Sequence, residues 1–300
     1  MSPVLVLGTV AIDSVETPFG RKKAVLGGSA SYAAYSASFF APVRLVACVG
    51  SDFPERYTRV LRERPIDTAG LERVPHERTF RWRGRYGADL GEATTLATHL
   101  NVLERFNPNI PLDYLDTPCV FLANIDPVIQ ERVLNHLKPR WVVLDSMNYW
   151  IQHKRKDLLR VAKRADLVVL NDAEARGLAQ EASLVHAARR LKKFGLKRLI
   201  IKKGEHGALL FEDDKFFLAP AYPQPATVDP TGCGDAFAGG LTGFLASQKK
   251  ITRRLLRRSV IAGSVMASFT IEDFGLKRLR RLTHAEIRNR LTEFHDLIRC

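Results

Sequence analysis

Asp229-Pro230-Thr231-Gly232-Cys233-Gly234-Asp235 runs directly into Ala236-Phe237-Ala238-Gly239-Gly240-Leu241, a small-residue stretch suited to a helix. A glycine-rich turn that enters a helix binds anions. The first helical N–H groups have no partner within the helix, they carry the positive end of its dipole, and glycine lets a phosphate approach the backbone closely. Asp235 falls in the first turn, where those N–H groups favour its ionised form. They also act to lower the thiol pKa of Cys233, with Asp235 opposing. A phosphate cradle with a carboxylate beside it suits phosphoryl transfer, which is mostly positioning and charge stabilisation. The plainer reading is a turn between a strand and a packed helix, with Asp235 as a capping carboxylate.

Other segments carry suitable residue types. Gly8-Thr9-Val10-Ala11-Ile12-Asp13 leaves the first apolar run, and an ionised Asp13 can accept two hydroxyl hydrogen bonds or simply cap a loop. Gly27-Gly28 precede the alanine-rich Ser29-Ala30-Ser31-Tyr32-Ala33-Ala34-Tyr35, so a substrate can lie against backbone N–H groups there. The Tyr32 ring is either a stacking surface or a packing residue. Asn171-Asp172-Ala173-Glu174 follows the apolar Leu167–Leu170 with nearly the spacing of a capping box. Lys202-Lys203-Gly204-Glu205-His206-Gly207 follows Leu199–Ile201.

In this order, the segments resemble the motifs of the PfkB, or ribokinase-like, family of carbohydrate and nucleoside kinases. The family's D-T-x-G-A-G-D is matched by residues 229–235, with Pro230 in place of Thr and Cys233 in place of Ala. G-x-x-x-x-D is matched by Gly8–Asp13, G-G-x-x-x-N-x-A by Gly27–Ala34 with Tyr32 in place of Asn, N-x-x-E by Asn171–Glu174, and G-x-x-G by Gly204–Gly207. The resemblance implies transfer of the γ-phosphoryl of ATP to a hydroxyl of a sugar or related polyol, the alternative within the family being a nucleoside kinase. It implies Asp235 as catalytic base and the backbone of Gly232, Cys233 and Gly234 as the anion hole. Asp13, Gly27, Gly28 and Tyr32 would face the acceptor. Asn171, Glu174, Lys203 (or Lys202), Gly204, Gly207 and Thr231 would face ATP, with Glu174 ordering Mg2+ through water, because magnesium keeps much of its hydration shell. A monovalent cation near Asp229, an adenine flanked by the helix containing Ala262–Phe269, and a homodimer formed through a lid also follow from the resemblance alone.

Strand-like runs at Val4–Leu7, Val43–Ala47, Cys119–Ala123, Trp141–Leu144, Leu167–Leu170 and Leu199–Ile201 alternate with helical segments at 29–40, 156–163 and 183–194, and with helices opening at Asp52-Pro54 and Asp126-Pro127. The pattern predicts an α/β fold: a three-layer, doubly wound, mostly parallel sheet with ligands at the C-terminal strand ends. Asp52 is expected to cap the helix that follows it. Residues 13–25 and 73–102 break the rhythm with short β-like runs; the resemblance makes them a small β lid on one ribokinase-like domain spanning 1–300. From Gly232 onward the chain reads as helices, the last capped by Thr283.

Lysine and arginine number 46 against 32 acidic residues, a formal charge of +14, so anionic partners are favoured. The densest basic run, Lys249–Arg258, reads as an amphipathic helix with a solvated basic face. The four cysteines, Cys48, Cys119, Cys233 and Cys300, show neither a C-x-x-C pair nor a histidine cluster, so no disulfide framework or zinc site is indicated. With no signal-like or membrane-spanning run, a cytoplasmic protein without membrane partners is expected. Two readings from other classes compete: a hydrolase using Ser29 in an approximate G-x-S-x-G elbow, and a catalytically silent basic nucleic-acid-binding module.

Overall fold

The computed structural model describes residues 1–298, and Cys300 lies outside them. Runs that are apolar at every position need cover on both faces, and these runs form the centre of the main sheet. Strands β1 (Val4–Leu7), β4 (Val43–Gly50), β5 (Ile66–Val74), β8 (Cys119–Leu122), β9 (Trp141–Asp145), β10 (Leu167–Asn171) and β11 (Leu199–Lys202) are parallel. The antiparallel hairpin β12 (Ala208–Glu212) and β13 (Lys215–Ala219) closes one edge, giving the order β13-β12-β11-β10-β9-β8-β1-β4-β5. A second sheet, in the order β3-β2-β6-β7, is built from β2 (Ala11–Thr17), β3 (Gly20–Gly27), β6 (Arg81–Arg85) and β7 (Thr94–His99). Its later strands start beyond Arg73 because Ile66–Val74, which has no strong apolar run, pairs with β4 in the main sheet.

Successive residues of each strand supply opposite cores. Val4, Val6, Val143, Val169 and Ile200 pack toward the helices Ser29–Ala37, Cys233–Ala246 and Arg253–Thr270. Leu5, Leu7, Leu144, Leu170 and Ile201 pack toward Pro127–His136, Arg155–Ala162, Asp172–Ala179 and Leu184–Lys193. The result is two helical layers on one sheet. Asp126 accepts the Val128 N–H at 3.0 Å, and Thr283 forms a full capping box with Glu286, both as the sequence indicates.

Two local expectations fail. Asp52 does not cap a helix: the helix Glu55–Arg62 starts after Pro54, while Asp52 accepts the Thr79 N–H and hydroxyl at 2.7 Å and pairs with Arg81 at 2.7 Å. Its carboxylate is thus spent joining β4 to the second sheet. The basic run is helical only from Arg253, because the Thr252 hydroxyl accepts the Leu255 N–H at 3.3 Å and sets the start there. Arg253 pairs with Glu212 and Asp213, so part of that face is neutralised. No helix among the described residues is long and apolar enough to cross a membrane.

The helices Ser29–Ala37 and Cys233–Ala246 touch along small residues: a Cβ on Gly239 would stand 2.2 Å from the Ala33 carbonyl oxygen, and one on Gly243 would stand 2.5 Å from that of Ala37. Gly239→Ala should therefore cost about 1–3 kcal/mol of stability by overpacking. Gly177→Ala, on an exposed helix face where the new Cβ meets Ile151 at an ordinary 3.5 Å, should be neutral or should stabilise by up to about 1 kcal/mol. Urea unfolding of both variants checks the contrast; equal effects would show that the seam is not close-packed.

Candidate active site

Gly232 adopts φ 76° as the residue before the helix Cys233–Ala246, a conformation that favours glycine, and it lies directly on the Tyr32 ring, which a Cβ there would approach to 2.4 Å. The turn is held from behind by buried Asp229, whose carboxylate accepts the Thr231 N–H at 2.9 Å and the Gly275 N–H at 3.2 Å. The amides of Gly232, Gly234 and Asp235 donate to no backbone carbonyl, as an anion site requires. The Cys233 amide differs from expectation: it donates to the Pro230 carbonyl at 3.1 Å and closes the turn, so it is not part of the anion hole. The thiol also departs from the simple dipole argument. Burial pushes it up to about 11, with Asp235 and Asp229 reinforcing the shift and Lys202 opposing it.

Beside the turn, the Lys202 ammonium donates to Asp145 at 3.0 Å, and both side chains are largely buried. A Cβ on Gly234 would stand 3.2 Å from Lys202 Nζ, so that glycine opens the approach between turn and ammonium. Burial works against the Lys202 charge, but Asp145 and Glu174 outweigh it and hold its pKa above the ordinary lysine range. Asp235, half-buried, is pushed up to about 7 by desolvation and the nearby Asp145 charge, with Lys202 opposing. Burial likewise raises Glu174 and Asp145, in each case against the pull of Lys202.

The sequence motifs do not mark Asp145 as a site residue, and they point to Lys203 ahead of Lys202. Strand alternation carries the missing signal. Val143 and Ile200 face the same core as the helix Cys233–Ala246, so Asp145 and Lys202, two residues further along, fall on that face, while Lys203 does not. The register pairs Val169 with Asp145 and Asn171 with Lys202, which brings three strand ends together.

On the other side of Asp235 stands Asp13, buried on β2 and pushed up to about 7 by desolvation; the Gly28 N–H opposes that shift, and the Asp235 charge adds to it. Its Oδ2 accepts the Gly28 N–H at 3.3 Å, whereas Oδ1 is buried without a partner. Gly27 and Gly28 therefore serve Asp13 rather than presenting free amides: a Cβ on Gly27 would overlap Asp13 Oδ2 at 1.8 Å. Tyr32, read either as a surface facing the acceptor or as a packing residue, is 1% exposed and packs under the turn. Two hydrogen bonds join the second sheet to the turn segment: the Thr17 hydroxyl donates to the Val228 carbonyl at 2.9 Å, and the Thr231 hydroxyl donates to that of Tyr86 at 3.2 Å. The Ser29 hydroxyl is spent on the Asn124 carbonyl at 2.9 Å and on Thr9, and no histidine is among its hydrogen-bond partners in the described residues, which argues against the hydrolase reading.

Asn171 and Glu174 form a reciprocal capping box at 2.7 Å in both directions, which locks the glutamate at the end of β10. In the 202–207 loop, Gly204 at φ 54° faces open space, whereas Gly207 at φ 82° packs against the Ala219 carbonyl and is structural. Among the described residues, no three His, Cys, Asp or Glu side chains are grouped to hold a metal ion by themselves.

Asp13 and Asp235 bind protons more tightly in the folded chain than at the ordinary carboxyl value of 3.8, so the folded state holds more protons than the unfolded one between about pH 4 and 7. Their contribution to stability is greatest below that window and is lost as pH rises through it. Asp235→Asn should therefore raise Tm by several degrees at pH 8 and by much less at pH 5. Thermal melts at the two pH values test this; an equal shift at both would mean that the carboxyl is not perturbed.

Residues 6–280 match the pfkB family carbohydrate kinase pattern. A cytidine kinase of Thermococcus kodakarensis is 34% identical over 282 residues, covering 92% of this chain and 98% of that protein. A nucleoside kinase of Methanocaldococcus jannaschii superposes with a TM-score of 0.78 at 20% identity, covering 98% of this chain and 99% of the other. A fructokinase of Vibrio cholerae, solved with fructose, ADP and calcium bound, superposes with a TM-score of 0.79 at 18% identity, covering 97% and 99%. These neighbours share the ribokinase-like α/β fold. The chain thus belongs to the pfkB family of carbohydrate kinases, as a phosphotransferase that uses ATP with a divalent metal ion and takes an alcohol group as acceptor.

Proposed function

We propose that the acceptor is a sugar or related polyol whose hydroxyl lies between Asp13 and Asp235. The observation that carries this reading is the pair of neighbouring carboxyls, Asp13 and Asp235, each pushed up to about 7, beside a helix N-terminus whose amides at Gly232, Gly234 and Asp235 donate to no backbone carbonyl among the described residues. Asp13, with one buried oxygen unpartnered, orients the sugar by accepting hydroxyl protons. Asp235 takes or positions the proton of the reacting hydroxyl; a base of pKa near the working pH is matched to that task. The amides of Gly232, Gly234 and Asp235, together with Lys202, meet the charge on the transferring phosphoryl group. Mg2+ on the nucleotide phosphates would neutralise their charge, with Glu174 and Asn171 ordering its water. Asp229 is committed to Thr231 and Gly275, so its part is to shape the turn that a monovalent cation would support. The second sheet, at 11–27 and 81–99, serves as the lid.

A second reading, with the sugar being the ribose of a nucleoside, is favoured by the cytidine kinase that matches 92% of this chain. A screen of ribose, fructose, inositols and nucleosides, read as ADP release, separates the two: turnover confined to nucleosides would replace the first reading by the second. Asp235→Asn should lower kcat by roughly 10²–10⁴-fold while leaving ATP affinity intact; near-normal turnover would remove it as the base. Asp13→Ala should raise the acceptor KM with little change in that for ATP. Lys202→Met should lower kcat by about 10²-fold or more, the weight of one transition-state donor, whereas Lys203→Met should have a much smaller effect. If the two lysine variants behave alike, the geometry around Asp145 does not select Lys202.

A further inference from the structure

The N-terminal ends of β1, β4 and β5 border a groove of about 780 Å³, lined by three arginines, Arg44, Arg62 and Arg64, with an apolar wall that includes Pro42 and Pro65. It lies at the opposite end of the sheet from the site above. β4 runs eight residues from Val43 beside the groove to Gly50 at the far end, about 25 Å at ~3.3 Å per residue.

Each guanidinium is positioned by neutral groups. Arg44 donates to the Thr117 hydroxyl at 2.9 Å and lies over the Tyr114 ring; Arg62 donates to the Thr68 hydroxyl at 2.9 Å. Arg64 donates to the Ser38 hydroxyl and carbonyl, each at 3.2 Å, with its guanidinium 3.9 Å from the centre of the Phe39 ring. Among the described residues, none of the three has a carboxylate within ion-pair distance. Glu63, between two of them in sequence, is turned away and held by Arg280 at 2.6 and 2.8 Å. The groove therefore keeps three oriented cations against one lining carboxylate, Asp67, and each guanidinium has N–H donors left over. Planar forks with unused donors match a phosphate dianion, a proline wall matches a carbon skeleton, and Asp67 matches a hydroxyl donor.

We propose that this groove binds a phosphorylated sugar, with the phosphate on Arg44, Arg62 and Arg64, the ring against Pro42 and Pro65, and a ring hydroxyl donating to Asp67. The same chemistry is offered by a free sugar phosphate and by the sugar phosphate of a nucleotide, and the product of a sugar or nucleoside kinase belongs to this class. The assignment rests on the groove alone and stands whichever acceptor the active site takes.

Calorimetric titrations of the full chain with ribose 5-phosphate, cytidine 5′-monophosphate, inorganic phosphate and sulfate test it. Wild type should show a class of sites for at least one of the two sugar phosphates that weakens ten-fold or more in Arg44→Gln/Arg62→Gln, while turnover measured without added phosphate stays unchanged. Whichever of the two probes shows the larger loss identifies the source. If the glutamine pair does not fold, Arg44→Lys/Arg62→Lys, which keeps the charge but loses the fork, should weaken the same class several-fold. Identical isotherms in wild type and the folded variant would overturn the proposal, as would sulfate or inorganic phosphate binding as tightly as the sugar phosphates, which would mark an anion trap only.

Discussion

One buried ammonium holds the active site together. Lys202 is surrounded by Asp145, Glu174 and Asp235, and with no counter-cation these carboxylates could not all stay charged so far from bulk water. Its bond to Asp145 fixes two strand ends to each other. Desolvation, together with the repulsion from Asp145 that one lysine does not cancel, pushes Asp235 up to about 7. The same compromise makes the site a cost to the fold, since the charges that serve the chemistry are those the interior tolerates least.

The second sheet joins this arrangement through backbone geometry as much as through side chains. Asp13 reaches its position only because Gly27 leaves room for it and Gly28 donates to it. Thr17, on the same strand as Asp13, is tied to Val228, and Tyr86 follows β6 to meet Thr231. The second sheet and the Gly232 turn are thus parts of one hydrogen-bonded frame beside Asp235.

Much of the fold was legible because buried parallel strands announce themselves as unbroken apolar runs, and because the turn before Ala236 has few other uses. What failed to show has physical reasons. Ile66–Val74 is an edge strand with Asp67, Glu72 and Arg73 facing outward, so it lacks the run that marked β1 or β10. The hairpin β12–β13 was missed because Glu212-Asp213-Asp214-Lys215 looks like an exposed loop, whereas it is the tight turn of an edge. Asp145 looks in sequence like any acid at a strand end, and only its contact with Lys202, one strand beyond β10, gives it a role. Tyr32, which the motif leaves as either a stacking surface or a packing residue, packs under Gly232.

The contact between the first helix and the phosphate-binding helix bears on how the chain is made. Ser36 donates to the Ala236 carbonyl at 2.6 Å across 200 residues of sequence, along the seam where Gly239 and Gly243 meet Ala33 and Ala37. The N-terminal helix is buried on every residue, so until Cys233–Ala246 is synthesised the face that meets this seam stands uncovered. Contacts of such separation form late and carry a large loop-closure cost. A nascent chain lacking its last seventy or so residues therefore has neither Asp235 nor the helix that closes this seam, and that interval on the ribosome is when this protein most needs protection from aggregation.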